Sequence, residues 1–186
     1  MSARVRRAGV LPDDAGRTAI WSVADGTRGR RWRWTVVDRR GTLLAAHTVE
    51  TDPSGRFLRL ESATPAGLLS LHREANGSVH GNRVGERGVD HLTIEAPAPE
   101  GVLVGGTALA VAILIDAIEP PAAKASFEVL EIFDDLGLQI SSATVRVEAE
   151  RDWEIRTHRL TRRAILDGAG LPADGVGSTS WPLEKG

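Results

Sequence analysis

Histidines are the residues of this chain best suited to metal binding, and their spacing decides whether two of them can share an ion. The chain has five histidines and no cysteine, so a transition-metal site would need imidazole and carboxylate ligands. His72 and His80 flank Asn76-Gly77, a dipeptide typical of two-residue hairpin turns. Such a turn pairs Arg73 with His80 and His72 with Gly81, which places the two histidines on opposite faces. We therefore predict isolated histidines and no metal site.

Asp90-His91, with Glu95 nearby, has the residue types of a general acid–base site. A carboxylate beside an imidazole orients the ring and raises its basicity. Adjacent residues of a strand point to opposite faces, however, so Asp90 would not orient His91. We expect no catalytic residue, and an enzyme that uses His91 with Asp90 or Glu95 stays as the least favoured alternative.

Motifs for phosphate and nucleic acid are also weak. The glycines between 101 and 106 lack the spacing and the following lysine of a phosphate-binding loop. Arg31 and Arg33 alternate with Trp32 and Trp34, so cations and rings fall on opposite faces of a strand. Binding of single-stranded nucleic acid needs both on one surface. We expect no cofactor and no nucleic-acid partner.

Length and composition favour one domain over residues 1–186, with residues 1–16 as a loosely ordered N-terminal arm. The first twelve residues are basic but lack the apolar segment of a secretory signal. The longest apolar run, Ala108–Ile115, is too short for a membrane span. The expected location is the cytoplasm, with no transmembrane segment.

The elements that position these residues are mostly strands. Apolar and polar residues alternate with period two, as in Trp32, Trp34 and Val36 against Arg31 and Arg33. Glycine-containing turns separate the segments and predict a meander with strands near 31–37, 43–50, 56–62, 67–74 and 78–84. Within it, Leu43 should share the face of Ala45, and Leu58 that of Leu60. Residues 107–118 are the best candidate for a helix capped by Thr107, and a strand is the alternative because Val and Ile are frequent there.

The order of motifs after Leu69 resembles a glycolipid-binding domain family of bacterial cytosolic proteins. The matching features are the hairpin Leu71–Gly77, the strand Gly88–Ile94, a Thr107-centred segment, Phe127–Ile132, and Leu166–Pro172 leading to Trp181. Val89 stands where the family has cysteine, and Val111 and Ala112 stand where it has paired arginines. The resemblance implies a strongly curved antiparallel sheet, a half-open β-barrel around a central helix, mainly β with one or two helices.

The same resemblance implies an apolar cavity and a lipid or glycolipid-like ligand, without supplying catalytic residues. We predict non-catalytic binding of an apolar or amphipathic small molecule in a β-barrel cavity. The predicted lining consists of inward-facing apolar residues: Trp32, Trp34, Val36, Leu58, Leu60, Leu69, Leu71 and Trp153. Arg31 and His91 are the predicted polar groups at its mouth. The main alternative is a protein-interaction or structural β domain that forms a homodimer around a filled core.

Overall fold

The computed structural model describes residues 6–13, 15–117, 124–149, 152–173 and 179–183 of the chain. The described residues form fourteen strands and one helix. The first strands are Arg6–Pro12 (β1), Thr18–Gly26 (β2), Gly29–Val37 (β3), Leu43–Thr51 (β4), Phe57–Thr64 (β5), Gly67–Arg73 (β6), Val79–Gly85 (β7), Gly88–Ile94 (β8) and Gly101–Val104 (β9). The helix Ala108–Asp116 (α1) follows, and then Lys124–Ile132 (β10), Leu138–Ala149 (β11), Asp152–Arg156 (β12), Thr161–Ile165 (β13) and Thr179–Pro182 (β14).

The strands form two sheets. The larger has the order β14-β1-β2-β3-β4-β5-β6-β7-β8, and all of its pairs are antiparallel. The smaller has the order β13-β12-β11-β10-β9, with β9 parallel to β10. The mainly β architecture and the five-strand meander are therefore confirmed.

The predicted alternation decides which face of the large sheet is buried. On β3, Trp32, Trp34 and Val36 are buried, whereas Arg31 and Arg33 are exposed. Trp34 lies directly opposite Trp21 of β2, and both side chains are buried on this side of the sheet. We call this buried side the inner face and the opposite side the outer face.

Two bulges change the predicted stripes. Thr51 pairs with Phe57 and Glu50 with Arg59, which leaves Leu58 as the extra residue of β5. A bulge shifts the alternation by one residue, so Phe57 joins Leu60 on the inner face and Leu58 is half-buried. A second irregularity pairs Val37 with Leu43, which turns Leu43 towards solvent. The expectations for Leu58 and Leu43 were therefore wrong.

The Asn76-Gly77 hairpin is also longer than predicted. The Glu74 N–H donates to the Ser78 carbonyl at 2.9 Å, so three residues instead of two lie between this hydrogen-bonded pair. His72 consequently pairs directly with His80, and the two rings share the outer face at a centroid distance of 6.3 Å. The predicted register was wrong by one residue. Each ring has a local hydrogen bond, and no set of three metal ligands occurs within the described ranges.

The helix α1 begins after Thr107, close to the prediction, but the Thr107 side chain makes no capping hydrogen bond. Residues Leu109 to Leu114 are all buried, which fits the apolar sequence of the whole segment. The helix packs against β9, β12 and β13. At its end, Arg30 Nη1 donates to Asp116 Oδ1 at 3.0 Å and joins the helix to the large sheet.

Part of the expected N-terminal arm is ordered as strand. Residues 6–12 form β1, which pairs along its length with β2 and also with β14. The side chain of Trp21 lies against Gly9, where a Cβ would meet the ring at 2.6 Å. Across the described ranges, no helix has the length and apolar character needed to cross a membrane.

Candidate functional site

A cavity of about 660 Å³ lies on the inner face where the loop before α1 meets β3 and β4. We call it the inner cavity. Its lining combines an apolar wall with charged and polar groups from six parts of the chain. The lining residues are Leu11, Pro12, Asp13, Ala15, Arg17, Ala19, Trp34, Val36, Leu44, Ala45, His47, Thr64, Pro65, Gly105, Gly106, Thr107, Ala108, Asp134, Arg162 and Arg163.

The apolar wall comes from the inner face of the large sheet. Trp34, Val36 and Ala45 contribute from neighbouring strands, and Val36 lies directly opposite Ala45. The Trp34 ring also lies 4.7 Å from the His47 ring, tilted by 35°. The indole Nε1 of Trp34 is buried and has no hydrogen-bond partner among the described residues. Buried indole N–H groups usually have a partner, and the Nε1 atoms of Trp21 and Trp32 lack one among the described residues as well.

The loop Gly105-Gly106-Thr107 brings the start of α1 into the cavity. Gly105 has a φ of +62°, a conformation that glycine adopts without strain. Arg162 lies over Gly106, where a Cβ would stand 2.5 Å from Nη2 of the guanidinium. The Thr107 hydroxyl is buried without a hydrogen-bond partner in the described part of the chain, and the first turn of α1 has no acidic residue.

Three arginines and two aspartates give the lining its charges. Arg17 Nε is 2.7 Å from an Asp13 carboxylate oxygen, and Arg163 Nη2 is 2.9 Å from Glu154. Arg162 forms no ion pair with any described residue, and its Nε is buried without a hydrogen-bond partner there. Arg162 is therefore the cation of the lining that is left to interact with a ligand.

His47 is the buried titratable group of the site. Its Nδ1 lies 2.9 Å from the Ser62 hydroxyl, and its Nε2 faces Gly105. Burial lowers the pKa of His47 to about 4, although the charge of Asp134 acts in the opposite direction. The ring is therefore neutral near pH 7 and is a poor general base. It is better suited to hydrogen bonding than to proton transfer.

A second, larger depression of about 810 Å³ lies on the outer face of the same sheet, and we call it the outer groove. Its outward-pointing residues are Ala8, Ile20, Ser22, Arg33, Thr35, Ala46, Thr48, Glu61, Ala63, Leu68, Ser70, Asn82 and Val84. Ile20, Leu68 and Val84 are among the large apolar side chains that the protein exposes.

The structure separates the predicted lining residues into three groups. Trp34 and Val36 line the inner cavity. Leu69 lines the outer groove, which Trp34 also borders. Others lie in neither depression: Trp32, Leu60 and Leu71 are fully buried in the core, Leu58 is half-buried at its bulge, and Trp153 is half-buried on β12.

The two predicted mouth residues lie on the outer face, outside the lining of both depressions. Arg31 Nε donates to Glu50 Oε1 at 2.7 Å. His91 Nδ1 is 2.6 Å from the Asn82 amide oxygen, whereas Asp90 accepts from Arg83 Nη2 at 2.8 Å. Asp90 therefore does not orient His91.

Sequence patterns did not reveal the polar end of the inner cavity. His47 was one alternating residue among many, and Arg162 lies on a strand that only the fold brings to the helix. The one sequence signal was Gly105-Gly106-Thr107 before an apolar helix, because such a loop exposes backbone N–H groups at a helix start.

Comparisons with known proteins extend the description of the fold. No protein-family model matches the chain, and no curated protein matches it. Among solved structures, it is similar to the crystal structure of a DUF1089 family protein from Pseudomonas aeruginosa. The TM-score is 0.53 at 11% sequence identity, over 94% of this chain and 91% of the other. The likeness spans nearly the whole of both chains and shows a shared fold.

Proposed function

We propose that this protein binds one apolar or amphipathic small molecule, lipid or glycolipid-like, without catalysing a reaction. The observation that carries the proposal is the inner cavity of about 660 Å³ bordered by Trp34 and Val36. Small-molecule sites are concave, mostly apolar and about 300–1,000 Å³ in volume. The inner cavity has that size and that combination of wall and polar end.

The apolar wall supplies the driving force in this proposal. An acyl chain or an aromatic group packed on Trp34, Val36 and Ala45 would leave water, at about 25 cal/mol per Å² of apolar area before association costs. The neutral His47 beside Trp34 lets the wall continue towards the polar end without a desolvated charge.

The proposal includes the arrangement of a curved sheet over a central helix. Helix α1 is buried along Leu109–Leu114 and linked to the large sheet by Arg30 and Asp116. A helix that is apolar on all sides belongs between packed layers. In this arrangement the start of α1 closes one end of the inner cavity.

Two neighbouring alanines provide the test. Ala45 lines the inner cavity, whereas Ala46 points to the outer groove. Ala45→Phe should fill the inner cavity and abolish the binding of a neutral lipophilic dye such as N-phenylnaphthylamine. Ala46→Phe carries the same added ring on the opposite face and should bind the dye like the wild-type protein.

Native mass spectrometry of the freshly purified wild-type protein adds an independent measurement, with a co-purifying small molecule as the expected result. Absence of both an adduct and dye binding in the wild-type protein would refute the proposal. Loss of binding in Ala46→Phe with retention in Ala45→Phe would refute the inner cavity as the site.

The outer groove favours a second candidate function, formation of a homodimer. One cross-strand row of the outer face contains the exposed residues Ile20, Leu68, Val84 and Val89. Contiguous exposed apolar residues often mark interaction sites. Light scattering would support this function with a dimer that Leu68→Lys converts to a monomer, and a wild-type monomer at all concentrations would exclude it.

A further inference from the structure

Resting on the proposed binding function, we infer that the polar end of the inner cavity holds an oxyanion head group, a phosphate or a carboxylate. The apolar part of the same ligand then lies against Trp34 and Val36. The ligand class is thus an anionic amphiphile with a compact head group.

Residues of the inner cavity lining carry donors without partners in the described part of the chain. The lining contains three buried donor groups without hydrogen-bond partners among the described residues: Trp34 Nε1, Thr107 Oγ1 and Arg162 Nε. Trp34 is 2% exposed, and its side chain borders the inner cavity as well as the outer groove. Buried donors without partners are costly, and a ligand rich in acceptors would satisfy them together.

The start of α1 lies at the same end of the inner cavity. The Thr107 side chain makes no capping hydrogen bond and the first turn has no acidic residue, so no carboxylate of the helix itself offsets the positive end of its dipole. A helix start of this kind favours bound anions. Arg162 lies over Gly106, one residue before Thr107, so its guanidinium is beside this end.

His47 is 6% exposed and stands between the apolar wall and the helix start. The Ser62 hydroxyl at Nδ1 can donate, and the ring then carries its proton on Nε2, which faces Gly105. No described residue is hydrogen-bonded to Nε2, so the ring has a donor for the same head group.

Most charges of the lining are paired, so the preference for an anion should depend on few residues. Asp13 neutralises Arg17 and Glu154 neutralises Arg163, whereas Asp134 opposes an anion in the cavity. Anion preference should therefore depend on Arg162, and Asp134→Asn should strengthen anion binding severalfold. Arg162→Gln should weaken it about tenfold, the typical effect of one charge-assisted hydrogen bond.

Four probes separate the contributions of head group and chain: dodecyl phosphate, dodecanol and dodecyltrimethylammonium share one chain length, and inorganic phosphate has no chain. Their affinities would be measured by calorimetry at low ionic strength. We expect dodecyl phosphate to bind about tenfold more tightly than dodecanol, dodecyltrimethylammonium to bind more weakly than dodecanol, and inorganic phosphate to bind weakest. In Arg162→Gln, dodecyl phosphate and dodecanol should bind with equal affinity. The affinity for dodecanol should be the same as in the wild-type protein.

Two further variants keep the test decisive if Arg162→Gln does not fold. Gly106→Ala inserts a methyl group that meets only the flexible end of Arg162, so it displaces the guanidinium without removing its charge. It should reduce the preference for phosphate while leaving dodecanol binding intact. Arg40→Gln removes an equal charge from an exposed turn outside the lining and should leave the preference unchanged.

Equal binding of dodecyl phosphate and dodecanol by the wild-type protein would overturn the oxyanion head group and leave the proposed function standing. Inorganic phosphate binding as tightly as dodecyl phosphate, without binding of dodecanol, would identify a free oxyanion as ligand. That result would overturn the amphiphile and the proposed function together. Failure of all four probes to bind would overturn both as well.

Discussion

A larger side chain at position 45 tests whether the inner cavity is a true void. Ala45 lies on the inner face of β4 opposite Val36 and lines the cavity. Ala45→Leu adds three carbons, and their burial would contribute about 2 kcal/mol at ~0.8 kcal/mol per CH₂. Loss of rotamer freedom for leucine subtracts about 0.5–1 kcal/mol. The free energy of unfolding should therefore rise by about 1 kcal/mol.

Ala143 is the matched control. It is 0% exposed on β11, lies opposite Phe127 and is outside the cavity lining. Ala143→Leu inserts the same three carbons into filled space, where overpacking costs about 1–3 kcal/mol. The two variants should consequently differ by about 3 kcal/mol in urea unfolding experiments on ligand-free protein, with similar m values. A loss of stability in Ala45→Leu as large as in Ala143→Leu would refute the cavity.

Two further predictions concern His47 and the turn glycines. The pKa of His47 is about 4 in the folded protein, against a usual value of 6.5. Between pH 4 and 6.5 the unfolded chain therefore binds more protons at this residue than the folded protein does. Stability from this residue is therefore complete above about pH 6.5 and is lost as the pH falls towards 4, by about 3 kcal/mol in urea unfolding experiments. His47→Gln should remove this pH dependence, whereas the exposed control His91→Gln should retain it. Gly55 and Gly41 have φ near +80°, but a Cβ on Gly55 would meet the Asp116 carbonyl at 1.8 Å whereas Gly41 has open space. Gly41→Ala should cost about 1–2 kcal/mol from the backbone alone, and Gly55→Ala should cost clearly more; equal thermal denaturation midpoints would contradict this packing of the β4–β5 turn on α1.

Alternation and turn chemistry predicted much of the large sheet. Trp32, Trp34 and Val36 alternate with arginines, and an arginine side chain cannot be buried without a partner, so the face of β3 was determined locally. Gly41 and Gly55 lie in two of the predicted glycine-containing turns, and both adopt the left-handed conformation that completes such a hairpin loop.

Register and bulges were less predictable because they depend on pairing between strands. Asn76-Gly77 is compatible with loops of different length, and the choice between them moved His80 to a position opposite His72. The bulge at Leu58 brings Phe57 into the core, an outcome decided by packing rather than by the local pattern.

The inward stripe of β3 indicates only in part which residues border the inner cavity. Trp34 and Val36 followed from the inward stripe, but Trp32 on the same stripe is fully buried away from the inner cavity. Whether a buried ring borders a void depends on residues distant in sequence, here the loop before α1 and Arg162 of β13. The alternation of residues along β3 cannot indicate which of its buried rings borders a void.

The indole N–H signals of the five tryptophans test most directly whether a small molecule binds against Trp34. A proton–nitrogen correlation spectrum would be recorded with and without dodecyl phosphate, with the Trp34 and Trp32 signals assigned through Trp34→Phe and Trp32→Phe. Because Trp34 lines the inner cavity and Trp32 does not, saturating ligand should shift the Trp34 signal strongly and the Trp32 signal little. Unchanged signals throughout, or a shift confined to the exposed Trp181, would contradict binding in the inner cavity.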